Sequence, residues 1–293
     1  MIVAHTLSDF REARLGLDRA GRRRVVFVAT MGALHAGHRE LIRSARSRGD
    51  AVVVSIFVNP LQFGPNEDYA RYPRPLEDDL AVCEEEGVDL VLVPTVSDLY
   101  PAGRQVSVVA GTIGSVLEGS SRPGHFDGVL TVVLKLFNLV RPQVSLFGQK
   151  DAQQLACVQR MVLDLNLDVE VVGAPTVREP DGLALSSRNV FLTPAERSLA
   201  TSLSTALEKA AVADTVVAAR AAANEVLDRV QFEPAFELDY AAMVHPASFT
   251  EIPDDHVGPA LMLVAARVGT TRLIDNAYLD FPAPPHEHGE AFA

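Results

Sequence analysis

The sequence predicts an α/β protein: a Rossmann-like parallel sheet flanked by helices, followed by a smaller α+β C-terminal domain. Three observations carry this. Residues 25–29, 51–58 and 144–147 (VVFVA, AVVVSIFV, VSLF) are continuous apolar, β-rich runs, as expected of parallel strands covered on both faces. The first and third run straight into a glycine-containing turn and then a helical pattern, the repeating unit of α/β folds. From Thr193 the composition changes to alanine-rich helical stretches followed by strand-like segments.

Taken in order, residues 7–17 read as a short helix feeding the first core strand at 25–29. The join that follows, Thr30-Met31-Gly32-Ala33-Leu34-His35-Ala36-Gly37-His38, has the form of an anion site. Backbone N–H groups are unpaired at a helix N-terminus and the peptide dipoles favour negative charge there. Gly32 and Gly37 remove side chains that would keep a ligand from the backbone, and His35 and His38, three apart, share a helix face. The join is neither a Walker loop nor G-x-G-x-x-G. Its plain alternative is a strand-turn-helix with ordinary helix-start histidines. Two histidines are no zinc ligand set, so a protein-held metal is left unknown.

Leu41, Ile42 and Ala45 give the next helix an apolar edge, and the strand at 51–58 ends in Asn59-Pro60-Leu61-Gln62-Phe63-Gly64. Ligands of open α/β sheets bind at that strand end, which makes Asn59 and Gln62 candidate substrate contacts. A helix is expected over 73–86, its acidic Glu77, Asp78 and Asp79 reading as a solvated face. Strands are expected at 89–93 and 106–109, with a turn at 94–101 between them. Residues 120–128 (SSRPGHFDG) read as a mobile loop whose Arg122 and His125 face a ligand or water. The most hydrophobic helix candidate, 129–140, ends at Pro142. The strand at 144–147 enters Gly148-Gln149-Lys150-Asp151, a second join bearing a cation, with Asp151 suited to cap the helix that continues to about 165. A fifth strand is expected at 169–172. A loop follows whose Ser186, Ser187 and Arg188 can clamp phosphate through hydroxyl, N–H and guanidinium donors. Helices at 194–213 and 215–230 and strands at 237–244, 260–268 and 271–280 complete the chain. The expected domains are residues 1–177 and 178–293. The tail PAPPHEHGEAFA, with His286 and His288, is expected to be disordered.

A hydrophobic fraction of 48% with 22% charged residues is that of a globular protein, and no apolar run approaches the length of a membrane span. The N-terminus carries charges where a signal peptide has its apolar core, so a cytoplasmic location is expected. Cys83 and Cys157 read as buried thiols rather than a disulfide. The formal net charge of −12 argues against a nucleic-acid binder. It also means that a phosphate-handling site must gather local cations or receive a metal ion with its ligand.

Five segments in register, 30–38, 57–63, 122–126, 148–154 and 181–189, together closely resemble the pantothenate synthetase (pantoate–β-alanine ligase) family of the nucleotidylyltransferase superfamily. The resemblance covers about residues 20–280. It implies ATP-dependent condensation of pantoate with β-alanine to pantothenate, AMP and pyrophosphate through a pantoyl adenylate. It assigns ATP contact to Met31, Gly32, Ala33, Leu34, His35, Ala36, Gly37, His38, Gly148, Gln149, Lys150, Asp151, Val177, Leu185, Ser186, Ser187 and Arg188. His38 matches the proton donor, Gln62 and Gln154 match the pantoate contacts, and Gln62 also matches the β-alanine contact. Mg²⁺ carried on the ATP phosphates, a homodimer, and the roles of residues 1–177 as a nucleotide-binding domain and 178–293 as a C-terminal lid are further implications. Leu185 stands where the family usually has Met, and Arg39 where Leu is common.

A carboxylate attacking a polyphosphate is opposed by charge, so catalysis must rest on positioning and neutralisation. The expected local cation set is His35, His38, Lys150 and Arg188. A nucleotidylyltransferase that moves a nucleoside monophosphate onto a phosphorylated small molecule is the alternative enzyme. A non-catalytic nucleotide-binding module is a third reading.

Overall fold

A computed structural model of the chain describes residues 1–65, 67, 69–101 and 104–283. The tail from residue 284, with His286 and His288, lies outside the described residues. Two compact units form. The first comprises Met1–Pro180 with Ala184–Val190, and the second Asp181–Leu183 with Phe191–Ala293. The loop bearing Ser186, Ser187 and Arg188 thus packs with the first unit.

The first unit runs β1 (Ile2–Ala4), α1 (Leu7–Arg19), β2 (Val25–Thr30), α2 (Ala36–Arg46), β3 (Ala51–Ile56), α3 (Leu76–Glu85), β4 (Leu90–Leu92), α4 (Val96–Leu99), α5 (Glu118–Ser121), α6 (His125–Val140), β5 (Val144–Gly148), α7 (Ala152–Asp164) and β6 (Glu170–Ala174). The strands form one parallel sheet in the order β1-β4-β3-β2-β5-β6. From β2 the chain steps through β3 to β4, then returns to place β5 on the other side of β2. The direction of winding therefore reverses between β2 and β5, where open α/β sheets leave a crevice at their carboxyl ends. Val28 pairs with Leu146, which brings Thr30 and Gly148, each two residues further on, to the same level.

The continuous apolar runs are buried on both faces. Val26 and Val28 pack with Ile42 and Ala45 of α2 and Cys83 of α3. On the other face Phe27 meets Phe137 of α6 edge-on, with ring centroids 6.3 Å apart. Helix α6 begins one turn before the expected start. Gly128 in that turn has no alternative, because a Cβ there would lie 2.2 Å from the Leu61 carbonyl oxygen. The close approach seats the 59–63 loop directly on the helix.

Several expectations are corrected. Strand β1, paired only with β4 among the described residues, is too short to leave a periodic signal. Residues 106–109 form no strand. Val106 and Val109 are exposed, because a β-rich composition without a neighbouring strand has nothing to pair with. The expected turn at 94–101 contains α4, nucleated by a reciprocal Thr95–Asp98 capping box. The expected loop at 120–128 is largely helical, divided between α5 and α6. The acidic run at 77–79 is not all solvated: Asp79 is only 2% exposed. Cys83 and Cys157 are buried and unbridged.

The second unit contains α8 (Pro194–Ala211), α9 (Val216–Val230), β7 (Phe236–Val244), β8 (Gly258–Val268) and β9 (Thr271–Phe281), the strands forming an antiparallel sheet in that order. Thr193 and Glu196 form a capping box and Pro194 occupies the first turn of α8. The buried alanines of the two helices and apolar residues of β8 share one core.

Candidate active site

The site is built at the carboxyl end of β2. The Thr30 hydroxyl donates to the Ser55 carbonyl at 2.7 Å and accepts from the Gly32 N–H at 3.2 Å. The chain then turns through left-handed Gly32 (φ 83°) and Ala33 (φ 52°). The buried Asp79 carboxylate closes this turn, accepting from the Ala33 N–H at 3.0 Å and the Leu34 N–H at 2.7 Å. Burial raises the Asp79 pKa, against the pull of those two bonds. A Cβ at residue 32 would stand 2.7 Å from an Asp79 oxygen, so Gly32 makes room for the carboxylate.

Helix α2 begins with its two histidines folded back on the backbone. His35 Nδ1 accepts from the Gly37 N–H at 3.2 Å, and His38 Nδ1 accepts from the His35 N–H at 3.3 Å. Each Nδ1 is an acceptor, so each neutral ring carries its proton on Nε2. The ring centroids are 4.1 Å apart. Burial, then the neighbouring His35, pushes the His38 pKa down to about 3, with Asp151 opposing. Burial and Lys150 lower that of His35.

Two adjustments follow. Both imidazole pKa values are lowered, which weakens the expectation that the histidines belong with Lys150 and Arg188 in a cation set. The N–H groups of residues 32–35 and 37 are engaged by the protein's own side chains rather than forming an open row for an anion. Gly37 serves the His35 ring, whose Cε1 would lie 3.0 Å from a Cβ at 37.

One cleft of about 280 Å³ gathers most of the expected residues. Met31, His35, Gly37 and His38 line it from the first join, and Gly148, Lys150, Asp151 and Gln154 from the second. Val177, Leu185, Ser186, Ser187 and Arg188 line it from the later loop, the Leu185 N–H bonding the Val177 carbonyl at 2.9 Å. Asn59 and Gln62 also border it. Gly32, Ala33, Leu34, Ala36 and Gln149 do not line it. The first three form the braced turn, and Ala36 is exposed on α2. Asp151 occupies the cap position of α7 but makes no capping hydrogen bond with its side chain. The paired glutamines of α7 divide: Gln153 is buried and bonds Glu118 N–H and the carbonyls of Ile113 and Val116, while Gln154 reaches the cleft.

Arg122 and His125 line the cleft too. His125 Nδ1 lies 2.8 Å from the Gln62 carbonyl and must donate, so its Nε2 accepts from Arg122 Nη1 at 3.1 Å. Arg122 is bidentate to Glu67 at 2.8 and 2.7 Å. Phe57, Phe63, Tyr72 and the α6 residues Val129, Val133 and Leu136 complete the apolar wall, and sequence reasoning missed them as site residues. Val129, Val133 and Leu136 showed only an apolar stripe, which reads as core, whereas Phe57 and Phe63 lie within the 57–63 segment of the resemblance.

Comparison with known proteins identifies the family. A family profile described as pantoate-beta-alanine ligase matches residues 2–278. The pantothenate synthetase of Acidothermus cellulolyticus is 57% identical over 281 residues, covering 94% of this chain and 90% of the relative. The crystal structure of pantothenate synthetase from Thermus thermophilus superposes with a TM-score of 0.87 at 48% identity, covering 94% and 99% of the two chains. That of pantoate-beta-alanine ligase from Francisella tularensis, complexed with beta-gamma ATP and beta-alanine, does so with a TM-score of 0.77 at 35% identity, covering 94% and 97%. The chain belongs to the pantoate–β-alanine ligase family, ATP-dependent enzymes that form a carbon–nitrogen bond.

Proposed function

We propose that this cleft condenses pantoate with β-alanine through a pantoyl adenylate, with the following division of labour. A pantoate carboxylate oxygen attacks the α-phosphorus of ATP, and the bond to the departing pyrophosphate breaks with its electron pair. Lys150 and Arg188 offset the charge of the polyphosphate, with the Ser186 and Ser187 hydroxyls as further donors. His38, and His35 beside it, offer neutral Nε2–H groups, and His38 donates to the oxygen leaving with pyrophosphate. Val177 and Leu185 face the adenine. The side-chain amides of Gln62 and Gln154 hold pantoate, and Gln62 also meets β-alanine. The β-alanine amine then attacks the acyl carbon, a C–N bond forms, the C–O bond to AMP breaks, and the amine proton passes to water.

A hard divalent cation on the ATP phosphates fits the donors present, since Asp151 brings a carboxylate to the same cleft. It supplies charge neutralisation. Asp79 is not offered to it, because it does not line the cleft and its carboxylate braces the turn beneath. A homodimer and a cytoplasmic location belong to the same proposal. Among the described residues no helix is long and apolar enough to cross a membrane.

The observation that carries the reading is the meeting of both joins and the Ser186–Arg188 loop on one cleft. The test is to incubate the protein with ATP, pantoate and Mg²⁺ and measure pyrophosphate and AMP with and without β-alanine. Pyrophosphate should appear without the amine, to about one equivalent of enzyme, and AMP should be released when it is added. A nucleoside monophosphate retained in the final product would instead establish the nucleotidylyltransferase.

A further inference from the structure

We infer that Tyr100 is a positioning residue for the acid substrates, acting through Asn59 to hold the Gln62 amide with its NH₂ group toward the cleft. The inference rests on the reading of Gln62 as a substrate contact. A glutamine amide can present either its oxygen or its nitrogen, with opposite consequences: a carboxylate or carbonyl oxygen needs donors, and the amide oxygen would repel it. Something must therefore fix the orientation.

Asn59 is that fixture. It is 1% exposed. Its Nδ2 faces the Gly128 carbonyl at 3.1 Å, an acceptor only, and its Oδ1 faces the Leu61 N–H at 3.3 Å, a donor only. Both contacts select the same orientation of the Asn59 amide. Its second Nδ2 hydrogen goes to Gln62 Oε1 at 3.0 Å. Gln62 must keep its oxygen there, and its Nε2 then lies 3.1 Å from the Met31 sulfur, beside the cleft.

The last position on Asn59 Oδ1 is filled by the Tyr100 hydroxyl at 2.8 Å, a shorter contact than that from Leu61. Tyr100 arrives from the C-cap of α4, its ring tilted against Phe57 at 6.1 Å and beneath the Lys135 ammonium at 6.0 Å. All four hydrogen-bonding positions of Asn59 are thus occupied. Asn59, expected from the sequence to touch substrate directly, instead transmits the hold of Tyr100 to Gln62.

The test is steady-state kinetics on Tyr100→Phe, Gln62→Ala and the double variant, with thermal unfolding of each. Tyr100→Phe should raise KM for pantoate and for β-alanine about fivefold, the scale of one net hydrogen bond. It should leave KM for ATP and the melting temperature near wild type. A structural defect would shift all three substrates together. In the Gln62→Ala background the second change should add nothing, because the amide it orients is gone. Full additivity, or unchanged KM values in Tyr100→Phe beside an impaired Gln62→Ala, overturns the relay and leaves the role of Gln62 standing. Unchanged acid KM values in Gln62→Ala overturn the reading of Gln62, and the relay with it.

Discussion

The two strand-to-helix joins at the carboxyl end of the sheet share a local pattern and end in different chemistry. At the β2–α2 join the side chains turn inward: Asp79, His35 and His38 engage the backbone N–H groups of residues 33–35 and 37, and both imidazole pKa values are lowered. At the β5–α7 join, Gly148 has ordinary backbone angles, and Lys150 and Asp151 line the cleft, Asp151 leaving its cap unmade. The first join supplies donors of fixed direction, and the second supplies charge. A glycine between a strand and a helix therefore does not by itself define a phosphate cradle, because the side chains that reach the join decide what it offers.

The comparison breaks most easily on activity. Lys150→Ala and His38→Ala should each lower kcat/KM by about 10²-fold or more, the scale of a lost transition-state contact. His38→Gln, which keeps a neutral donor, should recover part of that loss, whereas Lys150→Gln should not. Near-normal turnover of purified Lys150→Ala would remove the charge half of the contrast.

A second effect falls on stability. Asp79→Ala leaves two N–H groups of the braced turn without acceptors, which should cost about 2–6 kcal/mol in urea unfolding at roughly 1–3 kcal/mol per group. An unchanged midpoint would mean that the turn stands without its carboxylate.

A further test concerns pH. The folded pKa of His38, about 3, lies below its ordinary 6.5. Between these values the unfolded chain binds the extra proton, so stability from this group is complete above pH 6.5 and falls as the pH drops toward 3. The slope is at most about 1.4 kcal/mol per pH unit. Unfolding of wild type and His38→Gln at pH 7, 6, 5 and 4 should show their stabilities converging as the pH falls. Parallel curves would mean that folding leaves the His38 pKa unchanged.

The core strands were legible because strands buried on both faces are written as unbroken apolar runs. So was the convergence of Lys150, Arg188 and the histidines, though through resemblance rather than through spacing. Asp79 was only partly legible: its spacing from Leu76 and Cys83 puts it on the apolar side of the expected helix, but nothing local shows which N–H groups its carboxylate would meet. The electrostatics of His35 and His38 were equally hidden, because they depend on burial and, for His35, on Lys150, more than a hundred positions away.

What this sequence determined by itself was the set of elements and the chemical types available at two strand ends, since apolar periodicity, caps and motifs act over a few residues. Only the tertiary structure decided how those types are used: the β2–β5 reversal brings the joins together, Asp79 rises beneath one of them, and Tyr100 reaches Asn59 from 41 residues away. These outcomes rest on burial and hydrogen-bond geometry between distant segments, and such quantities have no value until the chain has folded.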